Sequence, residues 1–133
     1  MKRFVFIDES IRTRYAMAAV VVPITKVGHF RKEMLNLRTK GAKSFHMGRE
    51  RRQRQQQALK LLASLDYCEI YASTSRENIR ALARQESLRS LLKILPTHEY
   101  HVILDHTNQE ETDRETILRL RKTLDNKLEF LHL

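Results

Sequence analysis

The sequence predicts an α/β domain, and three observations carry that prediction. Two apolar runs of strand composition each stop at a carboxylate: "RFVFIDES" (Arg3 to Ser10) and "EYHVILD" (Glu99 to Asp105). Segments of helical period lie between and after such runs, and strands alternating with helices are the mark of α/β architecture. Only three Gly and two Pro punctuate 133 residues, 41% of them apolar, which suits one compact domain with a single core.

The elements follow in order. Residues 3–8 form a continuous apolar, aromatic and β-branched run, expected as a fully buried strand. "YAMAAVVV" (residues 15–22) reads as a second strand ended by Pro23, and the short "SIRTR" between the two predicts an antiparallel hairpin. Thr25 can cap a helix running to about Thr39, with Gly41 ending it. "KSFHMG" (residues 43–48) separates that helix from a second, which starts near Arg49 and carries "LKLLASL" to Leu65. "YCEIYAST" (residues 67–74) alternates as a third strand. From Arg76 to Leu95 the helical phase breaks: Ile79, Leu82 and Ala83 share one face, and Leu88, Leu91, Leu92 and Leu95 nearly the opposite one. The spacing therefore predicts two helical pieces with a bend around residues 84–86. Pro96 closes them before the fourth strand. Thr107 and Glu110 have capping-box spacing for a helix from about Asn108, with Ile117, Leu120 and Leu124 as its stripe. "KLEFLHL" reads as a fifth strand.

The longest apolar run, "AMAAVVVP", is far too short to span a bilayer. No secretory signal pattern opens the chain, and Cys68, alone and read as mid-strand, suits a core filler in a reducing compartment; the expectation is a cytoplasmic protein. The net charge is +9, from 25 Lys and Arg against 16 Asp and Glu. Such an imbalance favours an acidic partner, of which nucleic acid is the commonest. Apart from His46, the histidines (His29, His98, His101, His106 and His132) have no zinc spacing, and no glycine-rich phosphate loop occurs. Without Trp, and with most Tyr and Phe on strands, base stacking is not a favoured mode of binding.

The acids are the first functional signal. Asp8 and Asp105 each follow an apolar run, at or just beyond the carboxyl end of a strand, the edge where ligands gather in open α/β sheets. One such acid reads equally well as a strand-end or cap residue. Two at matching positions in a basic chain favour a site. If the strands are parallel neighbours, the carboxylates converge, and Mg2+ or Mn2+ between them relieves their repulsion. Such ions serve phosphodiester hydrolysis. Successive residues of a strand face opposite ways, so Asp8 and Glu9 cannot both aim inward. Asp8 ranks first, having its counterpart in Asp105, and Glu9 second.

"FVFIDES", "RYAMAAVVVP", "FH" before an arginine-rich helix, and "VILD", taken in order, resemble the prokaryotic family called domain of unknown function 3800. The resemblance runs across the whole chain, residues 1–133 as one domain. It implies a ribonuclease H-like mixed five-stranded sheet, order 3-2-1-4-5, flanked by helices, with the first and fourth strands parallel neighbours. It also implies a divalent-metal-dependent, nuclease-like site to which Asp8, Glu9, Ser10 and Asp105 carry over, Ser10 with the alternative of serving only the turn. His46 matches a position often polar or His, where it would contact phosphate or shuttle protons, or be an ordinary loop histidine. A further acid comes in such folds from the helix between the third and fourth strands, and Glu86 is the candidate, with Glu77, nearer the end of the third strand, as the alternative. The family continues past its fifth strand into an Asp-Ser pair and a helix with an Ala-Asp motif, whereas this sequence stops at Leu133. The expectations are therefore a fragment, a truncated product, an inactive descendant, or a homo-oligomer associating through the uncovered last strand.

In "GRERRQRQQQ", Arg49, Arg51, Arg52 and Arg54 crowd a helix start, where cations oppose the macrodipole. With Lys43 and His46 they are the expected nucleic-acid contacts, against the alternative of a solvated face. The two function classes left standing are a metal-dependent nuclease and a non-catalytic nucleic-acid-binding or assembly module on the same fold.

Overall fold

The computed structural model describes residues 2–11, 14–37, 52–96, 99–104, 110–123 and 127–132. The elements are β1 (Lys2–Ile11), β2 (Tyr15–Pro23), a 3-10 turn (Ile24–Lys26), α1 (Val27–Leu37), α2 (Arg52–Ser64), β3 (Glu69–Ser75), α3 (Arg80–Ile94), β4 (Glu99–Leu104), α4 (Glu110–Thr123) and β5 (Lys127–His132). The α/β class stands. β2 pairs antiparallel with both β1 and β3, while β4 runs parallel to β1, and β5 is placed parallel on the far side of β4. β1 is thus central, with a hairpin partner on one side and a distant parallel partner on the other.

Period-two alternation divides β1 and β2 between two cores. Val5, Ile7, Met17 and Ala19 face α3 and α4, where they pack with Leu88, Leu91, Val102 and Ile117. Phe4, Phe6, Val20 and Val22 face the other way, onto Val27 and Phe30 of α1 and Leu62 of α2. The Phe6 and Phe30 rings stack 5.3 Å apart. A second tie reaches across the sheet, where Arg3 meets Glu69 at 3.2 Å and the Tyr71 hydroxyl donates to the same carboxylate at 2.5 Å.

Several expected boundaries are corrected. Thr25 does not cap α1: Pro23 precedes a 3-10 turn that holds Thr25, and α1 begins at Val27 with no side-chain cap on the turn. Residues 80–94 form one helix rather than two bent pieces. Ile79 precedes it, 61% exposed, and Leu82 is 45% exposed. The inner stripe is instead Ala83, Arg84, Ser87, Leu88, Leu91, Leu92 and Leu95, continuous once its two polar members are included. Cys68 lies just before β3 and not within it; half-buried against the α1–α2 core, its thiol is pushed up to about 11 by burial. β1 runs on to Ile11, so Asp8 and Glu9 lie within the strand and not past its end. Lys43, His46, Arg49, Arg51, Asp105, Thr107, Asn108 and Leu124 lie outside the described residues. Among the described residues no helix is long and apolar enough to cross a membrane.

Leu88 is fully buried between α3 and the sheet, whereas Leu59 of α2 is 55% exposed. Leu88→Ala is expected to cost about 2–5 kcal/mol, and Leu59→Ala no more than about 0.5 kcal/mol. Urea midpoints at constant slope measure the contrast, and comparable losses at the two sites would contradict the placement of α3.

Candidate functional site

The two acids that open the site are separated by the pleat of β1. Asp8 continues the Phe4–Phe6 side, the side of α1 and α2, and is exposed. Glu9 continues the Val5–Ile7 side, beneath α3 and α4, and is half-buried. The Asp8 carboxylate accepts the backbone N–H of Glu9 at 2.8 Å. β1 pairs with β2 beyond this point, Glu9 opposite Met17 and Ile11 opposite Tyr15. Its described pairing with β4 ends at Ile7 opposite Leu104. Asp8 therefore follows the last described pair of the parallel ladder, and Leu104 is the residue immediately before Asp105 in the chain.

Glu9 belongs to a buried ion cluster. Arg84, with 6% of its side chain exposed, reaches from α3 in two directions at once. Its Nε and Nη2 donate to the Asp113 carboxylate of α4 at 2.9 and 2.8 Å. Its Nη1 donates to Glu9 Oε2 at 2.7 Å. The Tyr15 hydroxyl, on the same sheet face one diagonal away, donates to the same Glu9 oxygen. Arg80, one turn before Arg84, lies 3.4 Å from Glu9 Oε1 at the solvent edge. The fork geometry of guanidinium on carboxylate makes such contacts strong and directional. Burial on its own raises the Glu9 pKa, but the hydrogen bond from Tyr15 and the charge of Arg84 outweigh it and hold the carboxyl below its ordinary 4.5. The Tyr15 hydroxyl moves the other way: burial and then its bond to Glu9 keep its proton on.

This geometry separates the roles of the two acids. Glu9 is a committed counter-ion, and its oxygens are filled by Tyr15, Arg84 and Arg80. Asp8 is the carboxylate presented to solvent. Among the described residues no three His, Cys, Asp or Glu side chains come together as a metal site. Asp8 is thus a single candidate oxygen ligand, and Glu9 does not fit the role.

Of the remaining expected residues, Glu86 and Arg54 have described side chains, and both lie apart from this edge. Glu86 is exposed on α3, two residues past Arg84 and on the solvent side of the helix. Arg54 is the member of the arginine-rich segment whose side chain is described, and it turns inward. Its Nη2 donates to the Leu37 carbonyl at the end of α1, and Nη1 lies 3.4 Å from Gln57 Oε1. That guanidinium braces α1 against α2. Sequence reasoning missed Arg84, Asp113 and Tyr15. A signal existed for two of them: Arg84 precedes Leu88 by four residues, and Asp113 precedes Ile117 by four. Opposite charges on the inner stripes of two helices that share one sheet face predict a buried pair.

Removing Arg84 leaves Asp113, whose side chain is 1% exposed, buried without its cation. Arg84→Met is expected to destabilise the fold by about 3–5 kcal/mol, read as a shift in urea midpoint; a loss under about 1 kcal/mol would place the cluster among surface pairs. The acid limb of stability tests Glu9. Because its folded pKa lies below the unfolded 4.5, its contribution is present above that value and is lost as pH falls through the folded pKa. Wild type should therefore lose stability more steeply than Glu9→Gln below pH 4.5, in denaturation curves taken at successive pH values. Parallel acid limbs would contradict the ion pair.

No family model matches the chain, and no curated protein matches it. Among solved structures it is similar to ribonuclease H2 from Pyrococcus horikoshii OT3, at 14% identity and a TM-score of 0.60, over 98% of this chain. The chain spans 61% of the length of that protein. At this identity the likeness shows the fold: the mixed sheet built around β1 and β4 is of the kind found in ribonuclease H2.

Proposed function

We propose that the chain is a ribonuclease H-like domain, with the sheet order 3-2-1-4-5 and of the domain of unknown function 3800 kind, that acts on phosphodiesters of nucleic acid. The observation that carries this reading is the parallel register of β1 and β4. It sets Ile7 beside Leu104, the residues immediately before Asp8 and Asp105. The likeness to ribonuclease H2 supports it, as does the charge of +9. Asp8 is the acid presented at that edge, and with Asp105 it would hold Mg2+ or Mn2+. When bound, such an ion supplies an activated water and a counter-charge for the phosphate. Glu9 takes a different part in this proposal: tied to Arg84, it fixes β1 against the helices and leaves the site chemistry to Asp8. Association through the β5 edge belongs to the same reading.

One observation favours a second reading, a nucleic-acid-binding module without catalysis. Glu9, the acid beside Asp8, is neutralised within the protein, and the described residues hold no three-donor metal group. Titration with Mg2+ and Mn2+, with cleavage of labelled RNA, DNA and hybrid duplexes followed alongside, separates the two. The nuclease reading expects ion-dependent cleavage that Asp8→Asn reduces to background while the fold is retained. Salt-dependent binding with no ion uptake and no cleavage would replace it with the binding module.

A further inference from the structure

The α1 side of the sheet carries a guanidinium that neither the ion cluster nor the arginine-rich segment uses. Arg31 is exposed on α1, and its guanidinium carbon lies 5.9 Å from the centroids of both the Phe4 and Phe6 rings. Those rings are 6.1 Å apart, so the cation sits over the gap between them. Phe4 and Phe6 are held in turn: Phe6 stacks on Phe30 of α1, and Phe4 lies 5.0 Å from the His101 ring of β4. A guanidinium spread over two fixed rings has its carbon restrained from the side, and its N–H donors remain at the rim of the plane. Arg31 contacts no carboxylate among the described residues. By contrast Arg3, Arg80, Arg84 and Arg119 each contact an acid.

Phe4, Phe6 and Asp8 are alternate residues of β1 and share one sheet face. Asp8 therefore follows Phe6 by one pleat repeat, about 7 Å along the strand. The arrangement places a restrained cation, in contact with no carboxylate among the described residues, over the strand segment that leads to the exposed carboxylate. We infer that Arg31 is a phosphate-binding residue, which receives a nucleic-acid backbone phosphate on the α1 side of β1 and so orients the strand toward Asp8. The inference rests on the nucleic-acid reading above and adds to it the face of approach, which is the α1 side and not the α3–α4 side. It also adds a residue of α1 to the basic contacts expected from the arginine-rich segment after residue 48. Lys26, in the turn before α1 and 5.9 Å from the Tyr67 ring, and Lys32 of α1 are exposed and extend the basic surface.

The experiment is a salt titration of oligonucleotide binding by the full chain without divalent ions, read by fluorescence anisotropy. Compared are wild type, Arg31→Ala, Arg31→Lys and, on the opposite sheet face, Arg89→Ala. Loss of one phosphate contact lowers the slope of log affinity against log salt by about 0.9 on duplex and about 0.7 on single strands. Arg31→Ala should show that drop and bind several-fold more weakly at low salt. Arg31→Lys keeps the charge without the flat fork, so it should recover the slope but only part of the affinity. Arg89→Ala should match wild type. If Arg31→Ala retains the wild-type slope, or Arg89→Ala lowers it equally, the inference is overturned while the nucleic-acid reading stands. Should wild type fail to bind at low ionic strength, both fall together. The Arg31→Lys arm guards against loss of folding: a drop in slope shared by both substitutions, with the charge still present in one, would also overturn the phosphate role.

Discussion

The organisation of this domain depends on one guanidinium. Arg84 is the point at which β1, β2, α3 and α4 meet chemically, through Glu9, Tyr15 and Asp113. Leucine packing would hold the two helices on the sheet without specifying how they sit. A fork that satisfies carboxylates on different elements specifies depth and rotation together. Among the described residues, Glu9 and Asp113 share the cluster with Arg84 and Arg80, with Arg80 at the edge that solvent reaches. The acid that remains outward on β1, Asp8, is on the other side of the sheet.

That partition follows from the pleat. Adjacent acids on a regular strand have opposite fates, one drawn under a helix pair and one left facing solvent. A pair reading "Asp-Glu" in a sequence invites the idea of two ligands for one ion, and here the backbone forbids it. On the α1 side the same regularity sets Phe4, Phe6 and Asp8 in a row, so that what packs against the aromatics also borders the carboxylate. Core residues of the two faces alternate along β1 from Phe4 to Ile7, and the two acids continue the alternation at Asp8 and Glu9.

Much of this was legible in the sequence. Apolar runs and their stops predict β1, β2 and β4, because a central strand buried on both faces cannot be anything but continuously apolar. The same alternation foretold that Asp8 and Glu9 could not both aim inward, and it is Glu9 that the structure draws under the helices. What escaped the sequence was polar and buried. Arg84 and Ser87 interrupt the hydrophobic count of α3, which made one helix look like two. Asp113 looked like an acid in the first turns of a helix, where acids are common. The start of α1 was misplaced for a different reason: Thr25 has the side chain of a cap, but the turn after Pro23 takes a 3-10 form that makes no use of it. Arg31 is invisible to motif reasoning because its surroundings are assembled from β1, α1 and β4. Arg54, prominent in the sequence, makes its contact to a carbonyl at the end of α1.

The parallel seam between β1 and β4 has a consequence for how the domain comes together. Ile7 and Leu104 are neighbours in space but roughly a hundred residues apart in the chain. The hairpin of β1 and β2 and its extension to β3 involve much shorter loops, whose closure is entropically cheaper. A chain growing from its N-terminus can thus complete the antiparallel half of the sheet while one edge of β1 still waits for its partner. For that interval a long apolar edge is open to any other strand that reaches it. The geometry around Asp8 is then completed only when β4 arrives beside β1.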